Sequence, residues 1–251
     1  MNPAFDRDRG DVLARAEQAG VKTFIITGSS IESSAGACAF AVTRKGCYAT
    51  AGVHPHNAKD WDAQAAGRLN ELAHNAIAVG ECGLDYNRNY SPQDMQRKCF
   101  EEQLALAADL AKPIFLHERD AFDDFYSILK KYRASLPGAV VHCFTGTAAE
   151  MEAYIDLGCH IGITGWICDE RRGSHLIPLL KDIPADRLLL ETDAPYLLPR
   201  NLPKKLPGRS GRNEPAFLSH IAAFAAEILG KSPEQLAAET TANSKKLFKT
   251  N

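Results

Sequence analysis

The sequence predicts an α/β protein with a TIM (β/α)8-type barrel, and three observations carry this prediction. Short apolar runs rich in β-branched residues alternate with amphipathic stretches of helical period along the chain. Such continuous apolar runs are typical of strands that are buried on both faces of a parallel sheet. Side chains that can ligate a metal follow several of these runs in turn, which favours a closed barrel. An open doubly wound sheet would instead place its site at one switch point.

Seven strands are predicted, because the chain opens on a helix and no apolar run precedes that helix. The apolar spacing of Asp6–Ala19 indicates this first helix. An eight-stranded barrel starts with a strand, so we expect the first strand to be absent. The seven predicted strands are Thr23–Thr27, Cys47–Val53, Ile77–Gly80, Pro113–Leu116, Ala139–Val141, Ile161–Thr164 and Leu188–Leu190.

Amphipathic helices are predicted between these strands, and local sequence signals mark some of their ends. Ser91 followed by Pro92 predicts a helix start with Ser91 as the N-cap. Thr147 and Glu150 form the T-x-x-E pattern of a capping box, and Gly158 is expected to close that helix. Further helices are predicted at Ser29–Arg44, Trp61–His74, around 122–132, Leu176–Lys181, Pro215–Leu229 and Pro233–Leu247.

Length and composition indicate one globular domain over residues 1–251. The chain has 45% hydrophobic and 24% charged residues, and its net charge of -2 argues against a globally basic nucleic-acid binder without excluding a local basic patch. Seven cysteines without a C-x-x-C pair, and a start without an apolar signal region, predict a reducing cytoplasm. No apolar stretch approaches the roughly 20 residues of a membrane span. We expect a cytoplasmic monomer.

Four side chains at the ends of separate predicted strands indicate a metal site. They are Glu81, His117, His142 and Asp193. Imidazoles and carboxylates together suit Zn²⁺, Mn²⁺ or Mg²⁺, and we expect one or two divalent ions, with Mg²⁺ first. Each residue alone is more often a hydrogen-bonded core residue, but their shared position favours a common site. Glu81 is predicted to bridge two ions, because each carboxylate oxygen can take one.

Other residues are candidates for binding a substrate phosphate. His54 and His56 flank a proline that stiffens their loop, although His56 is equally consistent with an exposed turn. Asp85 is either a partner of a ligand or a loop cap. Cys82 and Cys143 are expected to pack away from the site. Five basic residues after the last strand form a local charge of +5 that suits a nucleic-acid backbone, or a solvated loop: Arg200, Lys204, Lys205, Arg209 and Arg212.

Aromatic residues near the predicted strand ends leave two interpretations open. Trp166, Tyr86 and Tyr196 suit the stacking of nucleobases, and they suit packing at the rim of the barrel equally well.

Seven motifs resemble those of the TatD family of metal-dependent deoxyribonucleases, in an order that covers nearly the whole chain. They read A-G-V-H-P-H, G-E-C-G-L-D, F-L-H-E-R-D-A, H-C-F-T-G, I-G-I-T-G-W, E-T-D-A-P-Y-L and R-N-E-P. The resemblance implies a TIM barrel of the amidohydrolase type and a 3′–5′ exonuclease on single-stranded DNA, with RNA as a further substrate and a role in DNA repair. By this resemblance, the metal ligands of the family fall on Glu81, His117, His142 and Asp193. His54 matches the histidine of the family motif G-x-H-P-H.

The interpretation from sequence is a hydrolase that cleaves phosphodiesters. Glu81, Asp193 and His54 are its predicted catalytic residues, and Asp193 is a candidate acceptor of the proton of the attacking water. One alternative is an amidohydrolase-type enzyme that cleaves a C–N bond of a small molecule. The other is a metal-binding protein with impaired catalysis, since family members begin with a strand whose end carries His-x-His.

Overall fold

A computed structural model describes residues 2–203 and 211–250 as a curled parallel sheet with helices between its strands. All seven predicted strands are present, each within a few residues of its predicted bounds. The sheet order follows the chain, so that each strand pairs in parallel with the next. The strands are β1 (Phe24–Ile26), β2 (Cys47–Ala51), β3 (Ala78–Asp85), β4 (Ile114–Arg119), β5 (Ala139–Val141), β6 (His160–Ile163) and β7 (Leu188–Leu190).

The sheet is open between its first and last strands. Within the described ranges, β1 pairs only with β2 and β7 only with β6. The connecting and terminal helices are α1 (Arg9–Gln18), α2 (Ile31–Ala41), α3 (Ala63–Asn75), α4 (Gln93–Asp109), α5 (Phe122–Tyr132), α6 (Ala148–Asp156), α7 (Leu176–Asp182), α8 (Leu218–Leu229) and α9 (Pro233–Phe248). None of the helices in the described part of the chain has the length and hydropathy needed to cross a membrane.

Alternate residues of the strands enter two different apolar clusters. Val79 and Leu116 belong to the large core that the sheet shares with the helices. Phe115, one position away on β4, belongs to a smaller cluster on the opposite face of the sheet, where Leu247 and Phe248 of α9 pack. The ring of Phe115 lies 4.8 Å from that of His142. The last helix therefore packs against this face of the curled sheet, on the side of His142.

Glu81 lies inside a strand, which corrects the prediction that its strand ends at Gly80. β3 continues to Asp85, and its register against β4 shifts between Val79 and Cys82. Gly80 and Gly83 have φ angles of +128° and +146°, and a Cβ on Gly83 would lie 1.8 Å from the carbonyl oxygen of His117. Glycine is required there, because this backbone conformation strains other residues. The irregular segment turns Glu81 into the site without ending the strand.

Ser91 does not cap the following helix as predicted. Pro92 occupies the N-cap position of α4, where it forms no side-chain capping hydrogen bond. The Ser91 hydroxyl instead accepts the backbone N–H of Lys59 at 3.0 Å and donates to the backbone carbonyl of His56 at 3.0 Å. Ser91 thus fixes the loop that carries His56. The predicted capping box of Thr147 and Glu150 is confirmed at the start of α6.

Candidate metal centre

One oxygen of Glu81 is the point on which three histidines converge. Its Oε1 lies 3.1 Å from Nδ1 of His117, 3.6 Å from Nε2 of His54 and 3.9 Å from Nε2 of His142. These side chains come from β3, from β4, from the loop after β2 and from the residue after β5. The parallel order of the sheet places all four positions at one edge. Three of the four predicted ligands are therefore neighbours in space: Glu81, His117 and His142.

Asp193 and Cys143 extend the cluster on the side of His142. Nε2 of His142 lies 3.6 Å from Oδ1 of Asp193. The residues His142, Cys143 and Asp193 form one group that could hold a metal ion, and His54, Glu81 and His117 form another. The sequence predicts that Cys143 points away, but its φ of +48° breaks the strand alternation two residues after the end of β5. Its thiol instead contacts the Thr164 hydroxyl at 3.3 Å.

His54 and His56 enter the site on a loop with several backbone restraints. The backbone N–H of His54 bonds to the carbonyl of Ser29, and Nδ1 of His54 accepts the N–H of His56 at 3.1 Å. A neutral His54 therefore carries its proton on Nε2, the nitrogen that faces Glu81. Burial is the main cause that lowers the pKa of His54 to about 3, so the ring is neutral near pH 7. It can donate one hydrogen bond into the site.

Asp85 caps the loop after β3, which is one of the two roles that the sequence left open, and it also lies beside the predicted ligand His117. Its Oδ1 accepts the backbone N–H groups of Asn87 and Arg88, which caps the loop after β3. Its Oδ2 lies 2.6 Å from Nε2 of His56 and 3.6 Å from Nε2 of His117. Asp85 is nearly fully buried. Because Asp85 lies beside Nε2 of His117, it favours a proton on that nitrogen, which leaves Nδ1 as the metal-binding atom when the ring is neutral.

Glu191 is a site residue that the sequence reasoning missed. Its Oε2 accepts Nδ1–H of His142 at 2.6 Å and the backbone N–H of Cys143 at 3.1 Å. It follows β7 directly, two residues before Asp193, in the motif E-T-D. That spacing places two carboxylates at one strand end, and it is the sequence signal that could have identified Glu191 as a site residue. With its Nδ1 proton held by Glu191, His142 presents Nε2 to Glu81 and Asp193.

Asn213 is a second missed residue, and it supports the segment that carries Asp193. Its buried side-chain amide donates to the carbonyls of Thr192 at 2.6 Å and Tyr196 at 2.7 Å. Its backbone N–H also bonds to the carbonyl of Pro195. Asp193 itself has a φ of +55°, a conformation that is uncommon outside glycine. These bonds from the R-N-E-P motif hold that segment in place.

The charges of the cluster are strongly coupled in the absence of a metal. Burial raises the pKa of Glu81, but the nearby His54, His117 and His142 outweigh burial and hold that pKa below its usual range. Burial lowers the pKa of His117, yet the nearby carboxylates of Asp85 and Glu81 raise it to about 9. Burial also raises the pKa of Asp193 above its usual value, and His142 opposes this shift. Without a cation, protons on the imidazoles compensate the carboxylates.

We expect metal affinity to rise with pH between about 6 and 9. His117 carries a proton below its pKa of about 9, whereas a ligating imidazole must be neutral, so binding releases that proton. The association constant for Mn²⁺ should increase about tenfold per pH unit for each proton released. Isothermal titration calorimetry in buffers of different ionisation enthalpy measures both the affinity and the proton count. An affinity independent of pH over this range contradicts the expectation.

The predicted phosphate-binding residues divide into three groups. His56 lines the same cleft as Glu81 and Asp193. Arg200 lies beside Asp169 at 3.9 Å, outside that cleft, and Arg212 bonds to Asp8 and Glu214 in an ion-pair cluster that also contains Arg15. The other three lie outside the described residues: Lys204, Lys205 and Arg209.

The chain matches known proteins over nearly its full length. The family model described as TatD related DNase matches residues 1–249. A protein of Cronobacter sakazakii named 3′-5′ ssDNA/RNA exonuclease TatD is 53% identical over 249 residues, which cover 98% of this chain and 94% of that protein. A protein of Salmonella typhimurium with the same name is 50% identical over 246 residues, with 97% and 94% covered.

A solved structure shows the same fold. The crystal structure of YJJV, a TatD homologue from Escherichia coli K12, has a TM-score of 0.88 and 29% sequence identity to this chain. The similarity covers 100% of this chain and 95% of that one. The TIM-like arrangement predicted from the sequence is therefore confirmed.

Proposed function

Because this chain belongs to the TatD-related DNase family, we propose that it is a metal-dependent 3′–5′ exonuclease on single-stranded DNA and RNA. The observation that carries the proposal is the convergence of three imidazoles on Glu81, with Asp193 beside His142. The names of the relatives in Cronobacter sakazakii and Salmonella typhimurium support the polarity and the substrate. The geometry of these side chains and the family of this chain together support a hydrolytic centre that acts on phosphodiesters.

The donor atoms fit one or two divalent cations. Glu81, His117, His142 and Asp193 would hold them, and Glu81, a member of the first group, lies 3.9 Å from His142 of the second. Among the described residues, Oε1 of Glu191 is buried without a hydrogen-bond partner, so the His142 side of the cluster contains a polar atom that is not satisfied. Carboxylates suit Mg²⁺ and Mn²⁺, whereas paired imidazoles suit Zn²⁺. A bound cation supplies Lewis acidity that favours deprotonation of water and neutralises phosphodiester charge.

The residues of this chain have separate tasks in the proposed reaction. Asp193 accepts the proton of the attacking water, because its carboxylate lies beside His142 in the cluster that would hold the cation. Neutral His54 donates from Nε2 to a phosphate oxygen. His56, held by Asp85, adds a further contact to phosphate from the rim of the cleft.

An assay of strand polarity tests the proposal. The purified protein is incubated with single-stranded DNA labelled at its 5′ end or at its 3′ end, with Mg²⁺, Mn²⁺ or Zn²⁺. We expect release of the 3′ label as mononucleotide at early times, while the 5′ label passes through a ladder of shortening products. Early release of the 5′ label, or internal cuts alone, contradicts 3′–5′ polarity. Metal binding without cleavage of any strand supports the alternative of impaired catalysis.

We expect the basic segment after β7 to increase affinity for the strand without reading its sequence. A variant with Lys204, Lys205 and Arg209 replaced by Gln should bind single-stranded DNA more weakly. The slope of log K against log salt should decrease by about 0.7 for each phosphate that these side chains neutralise. Fluorescence anisotropy between about 50 and 200 mM salt measures this slope. An unchanged slope excludes these residues from the binding surface.

The remaining expectations stay predictions. A cytoplasmic location is supported by seven cysteines that are all free, six of them buried. The monomeric state and a role in DNA repair rest on the sequence interpretation.

A further inference from the structure

Trp166 lies at the wall of the cleft that contains the candidate metal centre. It follows β6 in a short 3₁₀ helix, Gly165–Cys168. The Thr164 hydroxyl accepts the backbone N–H of Trp166 at 3.3 Å and also lies 3.3 Å from the thiol of Cys143, the neighbour of His142. The indole is partly buried against the core, and it lines the same cleft as Glu81 and Asp193.

Arg172 packs over the indole of Trp166 and is held there by further contacts. Its guanidinium carbon lies 4.4 Å from the centre of the Trp166 ring, and its backbone carbonyl accepts the indole Nε1–H at 3.2 Å. The buried carboxylate of Asp169 receives two guanidinium nitrogens of Arg172, each at 2.9 Å. A Cβ on Gly173 would lie 2.0 Å from the carbonyl oxygen of Trp166, so the turn is closely packed. The arrangement is held in place before any ligand binds.

We propose that the indole of Trp166 and the guanidinium of Arg172 form a stacking subsite for a nucleobase of the substrate strand. This proposal rests on the proposed function, because it takes single-stranded nucleic acid as the ligand. Every base has a π-face, so an aromatic platform binds bases with little sequence preference, and arginine adds a cation–π contribution. A base within a duplex is stacked and paired, so this subsite favours single strands over duplexes.

The other two aromatic candidates are placed differently. The hydroxyl of Tyr86 donates to Asp124 and accepts from Arg97, and this side chain packs against the core instead of lining the cleft. Tyr196 lines the cleft, but it is 62% exposed and its hydroxyl accepts from Asn2. Of the three, only Trp166 combines a place in the cleft with a guanidinium over its ring.

Tryptophan fluorescence tests the subsite separately from catalysis. The chain has two tryptophans, and Trp61 is buried with its Nε1–H bonded to Glu102. In a Trp61→Phe variant the emission comes from Trp166 alone. This variant is titrated in Mg²⁺ with a phosphorothioate-linked oligothymidylate, and with an abasic oligomer of the same length and linkages. Trp166→Leu and Trp166→Phe are measured by anisotropy with the same two oligomers.

We expect oligothymidylate to quench Trp166 and to bind about tenfold or more tightly than the abasic oligomer. Trp166→Leu should remove this difference, and Trp166→Phe should retain part of it. Equal affinity of the unsubstituted protein for both oligomers, or absence of quenching, overturns the subsite even if DNA is hydrolysed. Quenching and discrimination without any hydrolysis support the subsite while contradicting the proposed function.

Discussion

Replacement of Glu81 by Gln is expected to abolish nuclease activity while the fold is retained. Its Oε1 lies within 4 Å of imidazole nitrogens of three histidines, so the substitution removes the charge that the two ligand groups share. The loss of rate should exceed the roughly 100-fold typical of losing an outer partner of a metal ligand. Initial rates on 3′-labelled single-stranded DNA, with Mg²⁺ and with Mn²⁺, measure it.

A second carboxylate serves as the control for Glu81. Glu102 lies on α4, accepts the indole N–H of Trp61 at 2.8 Å and does not line the cleft. Glu102→Gln retains an acceptor oxygen there, so its activity should equal that of the unsubstituted protein. Circular dichroism and thermal unfolding establish that both variants are folded. Substantial activity in folded Glu81→Gln would remove Glu81 from the ligand set and, with it, the bridge between the two groups.

Replacement of Glu191 by Gln is expected to weaken metal binding about 10- to 100-fold. Glu191 holds the Nδ1 proton of His142 at 2.6 Å, which orients the ring and increases the basicity of Nε2. A neutral amide can still bond to His142 but lacks the negative charge. Because Glu191 acts through His142, raising the metal concentration should restore most of kcat. Calorimetry with Mn²⁺ and rates across a range of metal concentrations measure both effects.

Glu118 offers a matched control for Glu191. It lies on β4 beside His117, but its Oε1 accepts the backbone N–H of Ala121 at 2.8 Å and its Oε2 faces the hydroxyl of Tyr154. An amide oxygen can accept the same N–H, so Glu118→Gln should leave metal affinity unchanged. Equal losses in both variants would indicate a general response to removing a partly buried carboxylate. An activity loss in Glu191→Gln that excess metal does not restore would contradict a positioning role.

The sequence by itself determined the order of the elements and the residues that could ligate a metal. Apolar runs such as Ala139–Val141 and Leu188–Leu190 have the predicted bounds, because both faces of a parallel strand are buried and few polar residues are tolerated there. A polar side chain at such a run stands out, which is how Glu81, His117, His142 and Asp193 were selected.

Only the tertiary structure decided which groups complete the site. Backbone geometry decided the exceptions to strand alternation: the register shift at Glu81 and the positive φ of Cys143 are not encoded in a simple period of two. Long-range pairing decided the partners, since Glu191 meets His142 across 49 positions and Arg212 meets Asp8 across 204. Residue type and spacing indicate which side chains can bind, whereas partner choice depends on distances that only the folded chain defines.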